Sequence, residues 1–240
     1  MSITATPVPI LSDNYAWLLR DSGGATAIVD PADAPPIIAA IEAAGGRLDL
    51  ILLTHHHADH VAGTDAVRAR FGAKVVGAAA DAHRLPRLDR AVAEGDTIAL
   101  GAATARVIDT PGHTRGQINF FFADGGVLLS GDTLFSLGCG RLIEGTAAEM
   151  FASLAKLKAL PDATLVCCGH EYTASNARFA LSVDADNPAL QARVREATAQ
   201  RAAGVPTIPS TMGSERAANP FLRAPDVARF AALRAAKDKF

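Results

Sequence analysis

The sequence has 240 residues, of which 49% are hydrophobic and 20% charged, and its formal net charge is −2. This composition is typical of a globular chain with a substantial core, built as one domain or as one large and one small domain. It excludes a dominant basic surface for nucleic acid, and no apolar run reaches the roughly 20 residues that cross a bilayer. Residues 1–10 lack a basic segment followed by an apolar one, so we expect a cytoplasmic protein without membrane association.

The chain alternates between predicted strands and helices up to about residue 170. Short apolar or alternating runs between turn residues predict strands, and stretches with helical spacing lie among them. The predicted strands are 15–19, 26–29, 48–53, 74–76, 104–108, 119–122, 127–129 and 164–168. The predicted helices are 36–44, 62–71 and 148–160, the last with Thr146 as its N-cap. This alternation indicates an α/β layered domain.

The pattern changes near residue 170. Residues 173–183, 188–203 and 225–239 are rich in Ala, Arg and Leu at helical spacing, and no further strand is evident. We therefore predict an α/β domain over residues 1–170 and a small α-helical domain over residues 171–240, with the loop 206–221 inside the latter. The first part has 13 Lys/Arg and 18 Asp/Glu, the second 10 and 7. The mildly basic second part indicates either a small acidic ligand or scattered solvated arginines.

The histidine-rich run at residues 55–60 is the clearest chemical signal in the chain. It directly follows a predicted buried strand, where scaffolds present functional groups on loops. His55 and His57 share a direction in extended chain, and Asp59 and His60 follow as the chain turns towards a helix. Neutral imidazole is the commonest metal ligand, so this run predicts metal binding rather than an exposed polar loop. We interpret His56 as a bystander or supporting residue and His83 as a surface residue.

Three further candidates, His113, Asp132 and His170, each follow a predicted strand, so strand ends on one side of a sheet could bring them together. Five imidazoles and two carboxylates exceed the needs of one tetrahedral ion, which favours two ions joined by Asp132. We expect His55 and His57 to share one ion with His113, and Asp59 and His60 to share the other with His170. Ligands without thiolate suit zinc, with iron or manganese as alternatives. Because metal-bound water hydrolyses polarised carbonyl compounds, we predict a hydrolase in which Asp59 and Asp132 are catalytic.

The ligand spacing His55-x-His57-x-Asp59-His60, followed by His113, Asp132 and His170, resembles that of the metallo-β-lactamase superfamily across residues 1–170. The resemblance implies an αβ/βα sandwich with the metals at one edge of its two sheets. Asp30 matches an early aspartate of that family and would support the ligands, although a simple loop cap is a comparable interpretation.

A narrower resemblance extends over nearly the whole chain. The motifs that carry it look like those of glyoxalase II, the hydroxyacylglutathione hydrolase family: Gly138-Cys139-Gly140-Arg141, Glu144-Gly145-Thr146, Cys168-Gly169-His170-Glu171-Tyr172-Thr173, Asn219-Pro220-Phe221 and Arg234-x-x-Lys237-Asp238-x-Phe240. The resemblance implies hydrolysis of S-(R)-lactoylglutathione to D-lactate and glutathione in methylglyoxal detoxification, by a monomer whose helical C-terminal domain helps to hold glutathione.

Carried over by position, the glutathione contacts would be Arg141, Tyr172, Arg234 and Lys237, and cationic partners suit the two carboxylates of glutathione. At position 143 this chain has Ile where the family often has Tyr, so one hydrogen bond to the peptide would be absent. For Arg234 and Lys237 the spacing alone also fits solvated charges on a terminal helix, and Tyr172 could simply pack at a domain junction.

The ligand set is also compatible with other functions. A persulfide dioxygenase-like enzyme would use one iron and also handle glutathione adducts, although the Cys168–Tyr172 stretch and the helical tail argue against it. A thiol has an ordinary pKa near 8.5 and can leave without a proton donor, which favours thioesters over lactams and peptides. A non-catalytic conjugate-binding module would more typically hold structural metal through cysteines. The three cysteines, Cys139, Cys167 and Cys168, are instead expected to be buried and reduced.

Overall fold

The computed structural model describes residues 3–240, which form two six-stranded sheets and one two-stranded hairpin. The first sheet contains, in spatial order, β1 (Ile3–Ile10), β2 (Asn14–Asp21), β3 (Thr26–Val29), β4 (Leu50–Leu52), β5 (Lys74–Ala78) and β6 (Arg90–Val92). The second contains β14 (Ser210–Thr211), β13 (Leu165–Cys168), β10 (Val127–Gly131), β9 (Ile118–Phe122), β8 (Ala103–Asp109) and β7 (Thr97–Leu100). The hairpin pairs β11 (Leu134–Phe135) with β12 (Gly138–Cys139).

The two sheets enclose the central core between their inner faces. Trp17, Leu52, Phe120 and Phe122 belong to this cluster and are all at most 2% exposed. Strands β3 and β9 are buried along their whole length because a layer of helices also covers the outer face of each sheet. The architecture is therefore a four-layered αβ/βα sandwich, as the resemblance carried by the ligand spacing implies.

The helices fall into two outer layers. On the first sheet lie α1 (Ala34–Ala43), α2 (Ala58–Val61) and α3 (Thr64–Phe71), with Ile37, Ile41 and Val67 in the core beneath α1 and α3. On the second sheet lie α4 (Ala147–Lys158), α5 (Thr173–Val183), α7 (Met212–Ala218) and α8 (Val227–Lys237), and α6 (Pro188–Ala202) packs against α5 and α7. Helix α4 begins with a capping box in which Thr146 Oγ1 accepts from Glu149 N at 3.2 Å, so the predicted N-cap is confirmed.

The strands that the sequence did not predict are short or contain prolines. The edge strand β1 includes Pro7 and Pro9, which cannot donate to a sheet and weaken the strand signal. Our expectation of no strand after Cys168 is wrong in one place, because β14 pairs with β13. The predicted loop 206–221 accordingly contains β14 and α7. The division at residue 170 stays a prediction, and an apolar cluster with members from both sides of it, including Met150, Phe179 and Phe230, connects them.

Two further expectations about the chain can be compared directly with the structure. All three cysteines are free thiols with buried side chains, as predicted. His83 is an exposed residue, also as predicted. None of the helices within residues 3–240 combines the length and the apolar character that a bilayer crossing requires.

Candidate metal centre

The candidate ligands lie on loops that follow four strands and meet at one edge of the sandwich. Strand β4 leads into the run that begins at His55, and β13 leads directly to His170. Strands β8 and β10 both run antiparallel to β9 and therefore share a direction, so the loops carrying His113 and Asp132 leave the sheet at the same edge. The structure thus brings all seven predicted ligands together.

Three histidines form a first cluster, in which the ring nitrogen atoms face one another. His57 Nδ1 lies 3.1 Å from His55 Nε2 and 3.0 Å from His113 Nε2. On its far side, His113 Nδ1 lies 2.9 Å from the carbonyl oxygen of Arg141, which can only accept a hydrogen bond. The proton of neutral His113 is therefore on Nδ1, and the lone pair of Nε2 points into the cluster.

A second cluster is formed by Asp59, His60 and His170. The two Nε2 atoms of His60 and His170 are 3.3 Å apart, and Asp59 Oδ2 lies 3.7 and 3.5 Å from them. The Nδ1 atoms face carboxylates, that of His60 at 3.0 Å from Asp30 Oδ2 and that of His170 at 3.1 Å from Asp13 Oδ1. Both rings consequently carry a proton on Nδ1 and, when neutral, turn the Nε2 lone pair inwards.

Asp132 lies between the two clusters. Its Oδ2 is 3.5 Å from His113 Nε2 and 3.4 Å from His170 Nε2, while its Oδ1 is 3.4 Å from His60 Nε2. The Oδ1 atom is buried and has no hydrogen-bond donor among the described residues. A Cβ atom at Gly169 would come within 2.8 Å of this oxygen and 2.6 Å of His60 Cε1, so only glycine leaves the space open.

These groups fit divalent cations. The imidazole lone pairs point inwards, and one carboxylate oxygen has no hydrogen-bond donor among the described residues. A set of nitrogen and oxygen ligands without thiolate suits zinc and similar metals. Two groups of candidate ligand atoms, each within 4.8 Å of one another, correspond to the two predicted sites; a third group joins Asp30 to His55 and His60. The contacts of Asp30 with Thr54 and His60 place it behind the ligands, where it supports them.

The electrostatics of the centre point in the same direction. Burial and the neighbouring His60 lower the pKa of His55 well below its ordinary value, which keeps this ring neutral and able to bind metal. Burial also disfavours the charged form of His60, but the negative charges of Asp132 and Asp30 outweigh it and raise the pKa of His60 to about 9. The second cluster therefore favours positive charge at its centre.

Asp30 is held in an unusual backbone conformation with φ of 53°, in the left-handed region that non-glycine residues rarely adopt. Its Oδ1 accepts from Thr54 N at 2.8 Å, and its Oδ2 accepts from Thr54 Oγ1 at 2.7 Å. Thr54 Oγ1 in turn lies 3.0 Å from His55 Nδ1. Asp30 therefore orients one ligand of each cluster, His55 through Thr54 and His60 directly.

His56 points away from the clusters, as its place in the extended run indicates, and is held by charged groups. Its Nδ1 lies 3.1 Å from Asp81 Oδ2 and its Nε2 lies 3.6 Å from Glu144 Oε1. The guanidinium of Arg84 binds both carboxylates, and its hydrogen bond lowers the pKa of Glu144 to about 2. This charged network anchors the run between His55 and His57 to the loop that follows β12.

The predicted substrate contacts line a cavity of about 460 Å³ that opens onto His113 and Asp132. Tyr172 stacks on His170 at its wall, with ring centroids 4.5 Å apart and planes 8° apart. Arg141 is exposed at the rim and its side chain makes no hydrogen bond or ion pair with another described residue. Cavity residues that the sequence did not predict include Phe135, Ser175 and Asn176.

The two cationic residues of α8 differ in their surroundings. Arg234 is 4% exposed, donates to Cys139 O at 2.8 Å and pairs with Asp238 at 2.8 Å. Lys237 lies between the rings of Phe179 and Phe240, and burial together with Arg234, Arg178 and Arg141 lowers its pKa. Lys237 and Arg141 thus offer free positive charge to the cavity, whereas most of the hydrogen-bonding capacity of Arg234 is used within the protein.

Comparison with known proteins agrees with this geometry. The family model for the metallo-beta-lactamase superfamily matches residues 11–170. The BLEG-1 B3 metallo-beta-lactamase superposes with a TM-score of 0.72 at 25% identity, over 91% of this chain and 99% of that one. A di-iron-bound protein, TTHA1623, superposes with a TM-score of 0.61 at 28% identity, over 69% of this chain and 91% of that one. Fold and site therefore define a metallo-beta-lactamase superfamily protein.

The remaining part of the chain narrows the class. Residues 171–240 match the model for the hydroxyacylglutathione hydrolase C-terminus. A hydroxyacylglutathione hydrolase of Acidiphilium cryptum is 61% identical over 237 residues, which is 99% of this chain and 97% of the relative. The chain belongs to the hydroxyacylglutathione hydrolase family.

Proposed function

We propose that the chain hydrolyses glutathione thioesters of 2-hydroxy acids, converting S-(R)-lactoylglutathione to D-lactate and glutathione. The observation that carries this proposal is the pair of inward-facing ligand clusters at the mouth of a cavity with free positive charge. The relative from Acidiphilium cryptum bears the name of this activity and covers almost the whole chain. Both clusters and the cavity are built within one chain, which supports action as a monomer, and we place the enzyme in the cytoplasm.

Two divalent metal ions, zinc or alternatively iron or manganese, would be held by the clusters. His55, His57 and His113 would hold one ion, Asp59, His60 and His170 the other, and Asp132 would bind both. Such ions lower the pKa of bound water and polarise a carbonyl oxygen, which are the two needs of thioester hydrolysis. The di-iron form of the neighbouring TTHA1623 supports two ions rather than one.

The residues of the chain would position the thioester between this centre and the cavity. Arg141 and Lys237 offer positive charge to the two carboxylates of glutathione. Burial and the nearby charge of Asp13 raise the pKa of Tyr172 to about 12, so its phenol keeps its proton and can donate a hydrogen bond. The glutathione sulfur leaves as a thiolate, since a thiol has an ordinary pKa near 8.5, and no proton donor is required at that step.

The test is elemental analysis of the purified protein combined with thiol release from S-lactoylglutathione. We expect two equivalents of metal per chain, loss of hydrolysis after treatment with a chelator and recovery when metal is returned. Oxygen uptake with glutathione persulfide, measured on the same sample, separates hydrolysis from dioxygenation. A fully metallated protein that releases no thiol would contradict the proposal.

The substitution Arg141→Ala should raise the KM for S-lactoylglutathione about tenfold, the scale of losing one charge-assisted hydrogen bond. The kcat and the melting temperature should stay unchanged, because the side chain is exposed and holds no other residue. Steady-state kinetics and thermal melting check both parts. Arg195→Ala, which removes an exposed arginine from α6, is the matched control and should leave KM unaltered.

A further inference from the structure

The two ligand clusters are supported by different parts of the chain. In the first, the outer nitrogen atoms of His55 and His113 face Thr54 and the carbonyl of Arg141. In the second, residues far from any ligand motif provide much of the support. They lie in the turn between β1 and β2 and at the first residue of β2, a segment that we call the N-terminal turn (residues 11–14).

Asp13 of the N-terminal turn faces the outer nitrogen atom of His170. Its Oδ1 lies 3.1 Å from His170 Nδ1, and its backbone oxygen accepts from Glu171 N at 2.8 Å. The side chain of Asp13 is 43% exposed, whereas that of His170 is 4% exposed. A carboxylate that accepts from the outer nitrogen of an imidazole fixes the ring orientation and makes the inner nitrogen a stronger ligand.

Asn14 contacts two ligands of the same cluster, Asp59 and His170. Its buried Nδ2 donates to Asp59 Oδ2 at 3.2 Å and to Asp59 O at 3.1 Å, and it lies 3.4 Å from His170 Nε2. The hydrogen bond from Tyr15 N to Gly169 O, at 2.8 Å, secures the turn beside the end of β13. The N-terminal turn therefore contacts Asp59 and His170, while His60 is held by Asp30.

We propose that Asp13 and Asn14 are positioning residues that set the metal affinity of the second cluster separately from that of the first. The proposal rests on the dinuclear centre of the proposed function. It assigns the N-terminal turn a role in metal retention: the turn aligns Asp59 and His170 before an ion arrives. Loss of either side chain should weaken the binding of one metal equivalent and leave the affinity for the other unchanged.

The experiment is a competition titration of the metal-free full-length chain with Zn²⁺ against a chromophoric chelator. In Asp13→Ala, one equivalent should bind with wild-type affinity and the other about 10- to 100-fold more weakly, as for loss of an outer hydrogen-bond partner of a ligand. Asp13→Asn retains an acceptor oxygen without the charge, so its affinity for the weakened equivalent should lie between those of the wild type and Asp13→Ala. His57→Ala and Asp59→Ala identify which equivalent belongs to which cluster.

Controls separate positioning from a general loss of structure. Asp124→Ala removes an aspartate from another exposed turn and should leave both affinities unchanged. Asn14→Ala should weaken the same equivalent as Asp13→Ala; if the buried substitution prevents folding, the half-exposed Asp13 variants still decide the question. Wild-type affinity for both equivalents, or equal weakening of both, in Asp13→Ala would overturn the proposal. Because the readout is metal affinity, a wild-type protein that binds two ions but releases no thiol would instead contradict the proposed function.

Discussion

The substitution Asp132→Ala should lower the kcat for S-lactoylglutathione by about 10³-fold or more, the scale of losing a principal electrostatic stabiliser in an active site. Asp132 is the acidic group that lies within 3.5 Å of ligand nitrogens from both clusters. Without it the first cluster retains three neutral imidazoles and no carboxylate within that distance. We therefore expect the metal content to fall below two equivalents, which elemental analysis can measure alongside turnover.

Asp132→Asn refines this result, because it retains the shape of the side chain and removes only its negative charge. The amide should also fail to restore turnover if the charge between the clusters is the essential property. Wild-type turnover in Asp132→Ala with two equivalents of metal still bound would refute the assignment of Asp132 as the group shared by both sites.

The substitution Arg234→Met should lower the free energy of unfolding by about 2 to 3 kcal/mol, the scale of removing a buried hydrogen bond from a charged donor. The change keeps most of the side-chain volume but leaves the carbonyl oxygen of Cys139 without its 2.8 Å donor. It also removes the guanidinium that lies 5.2 Å from the ring centroid of Phe221. Because Cys139 lines the cavity, KM should rise as well.

Denaturant unfolding of Arg234→Met and Lys237→Met, measured side by side, distinguishes the roles of these two residues of α8. Lys237→Met should raise KM with a smaller loss of stability, since Lys237 Nζ makes only part-buried hydrogen bonds, at 3.2 to 3.4 Å, with the cavity residue Ser175. Equal unfolding free energies for Arg234→Met and the wild type, together with a raised KM, would show that Arg234 serves the ligand rather than the fold.

The metal centre could be predicted from the sequence because its ligands follow a local rule. His55 lies three residues after the end of β4, His170 lies two residues after the end of β13 and Asp132 directly follows β10. Ends of strands that share a direction meet at one edge of a sheet, so a local pattern was sufficient to anticipate a long-range cluster. The capping residue Thr146 and the bounds of α5 are equally local and were predicted correctly.

The supporting residues could not be predicted in the same way. Asp13 and Asn14 look like an ordinary turn in the sequence, and their role depends on contact with His170, which is more than 150 residues away. Arg84 and Asp81 similarly acquire a role only when the fold brings them to His56 and Glu144. No periodicity or spacing encodes such pairs, because each depends on the packing of segments that are distant in the chain.

In the residues after 170, the sequence pattern predicts helices better than short strands. Helical spacing correctly indicated α6 and α8, but a two-residue strand such as β14 has no periodicity to detect. The spacing of Arg234 and Lys237 also predicts the same role for both residues, as cationic contacts of the substrate. Their surroundings differ in the structure, since Arg234 is 4% exposed and its guanidinium binds Cys139 O and Asp238.

The apolar cluster shared by α4, the second sheet and α8 limits how this architecture can be recombined. Met150 and Leu154 of α4 belong to the same cluster as Phe221 and Phe230 from beyond residue 170. A chimera that transplants residues 171–240 onto another sandwich would have to carry the facing surface of α4 with it. Recognition of a new conjugate could therefore be transferred between such enzymes only by moving residues 171–240 together with the surface of α4 that packs against them.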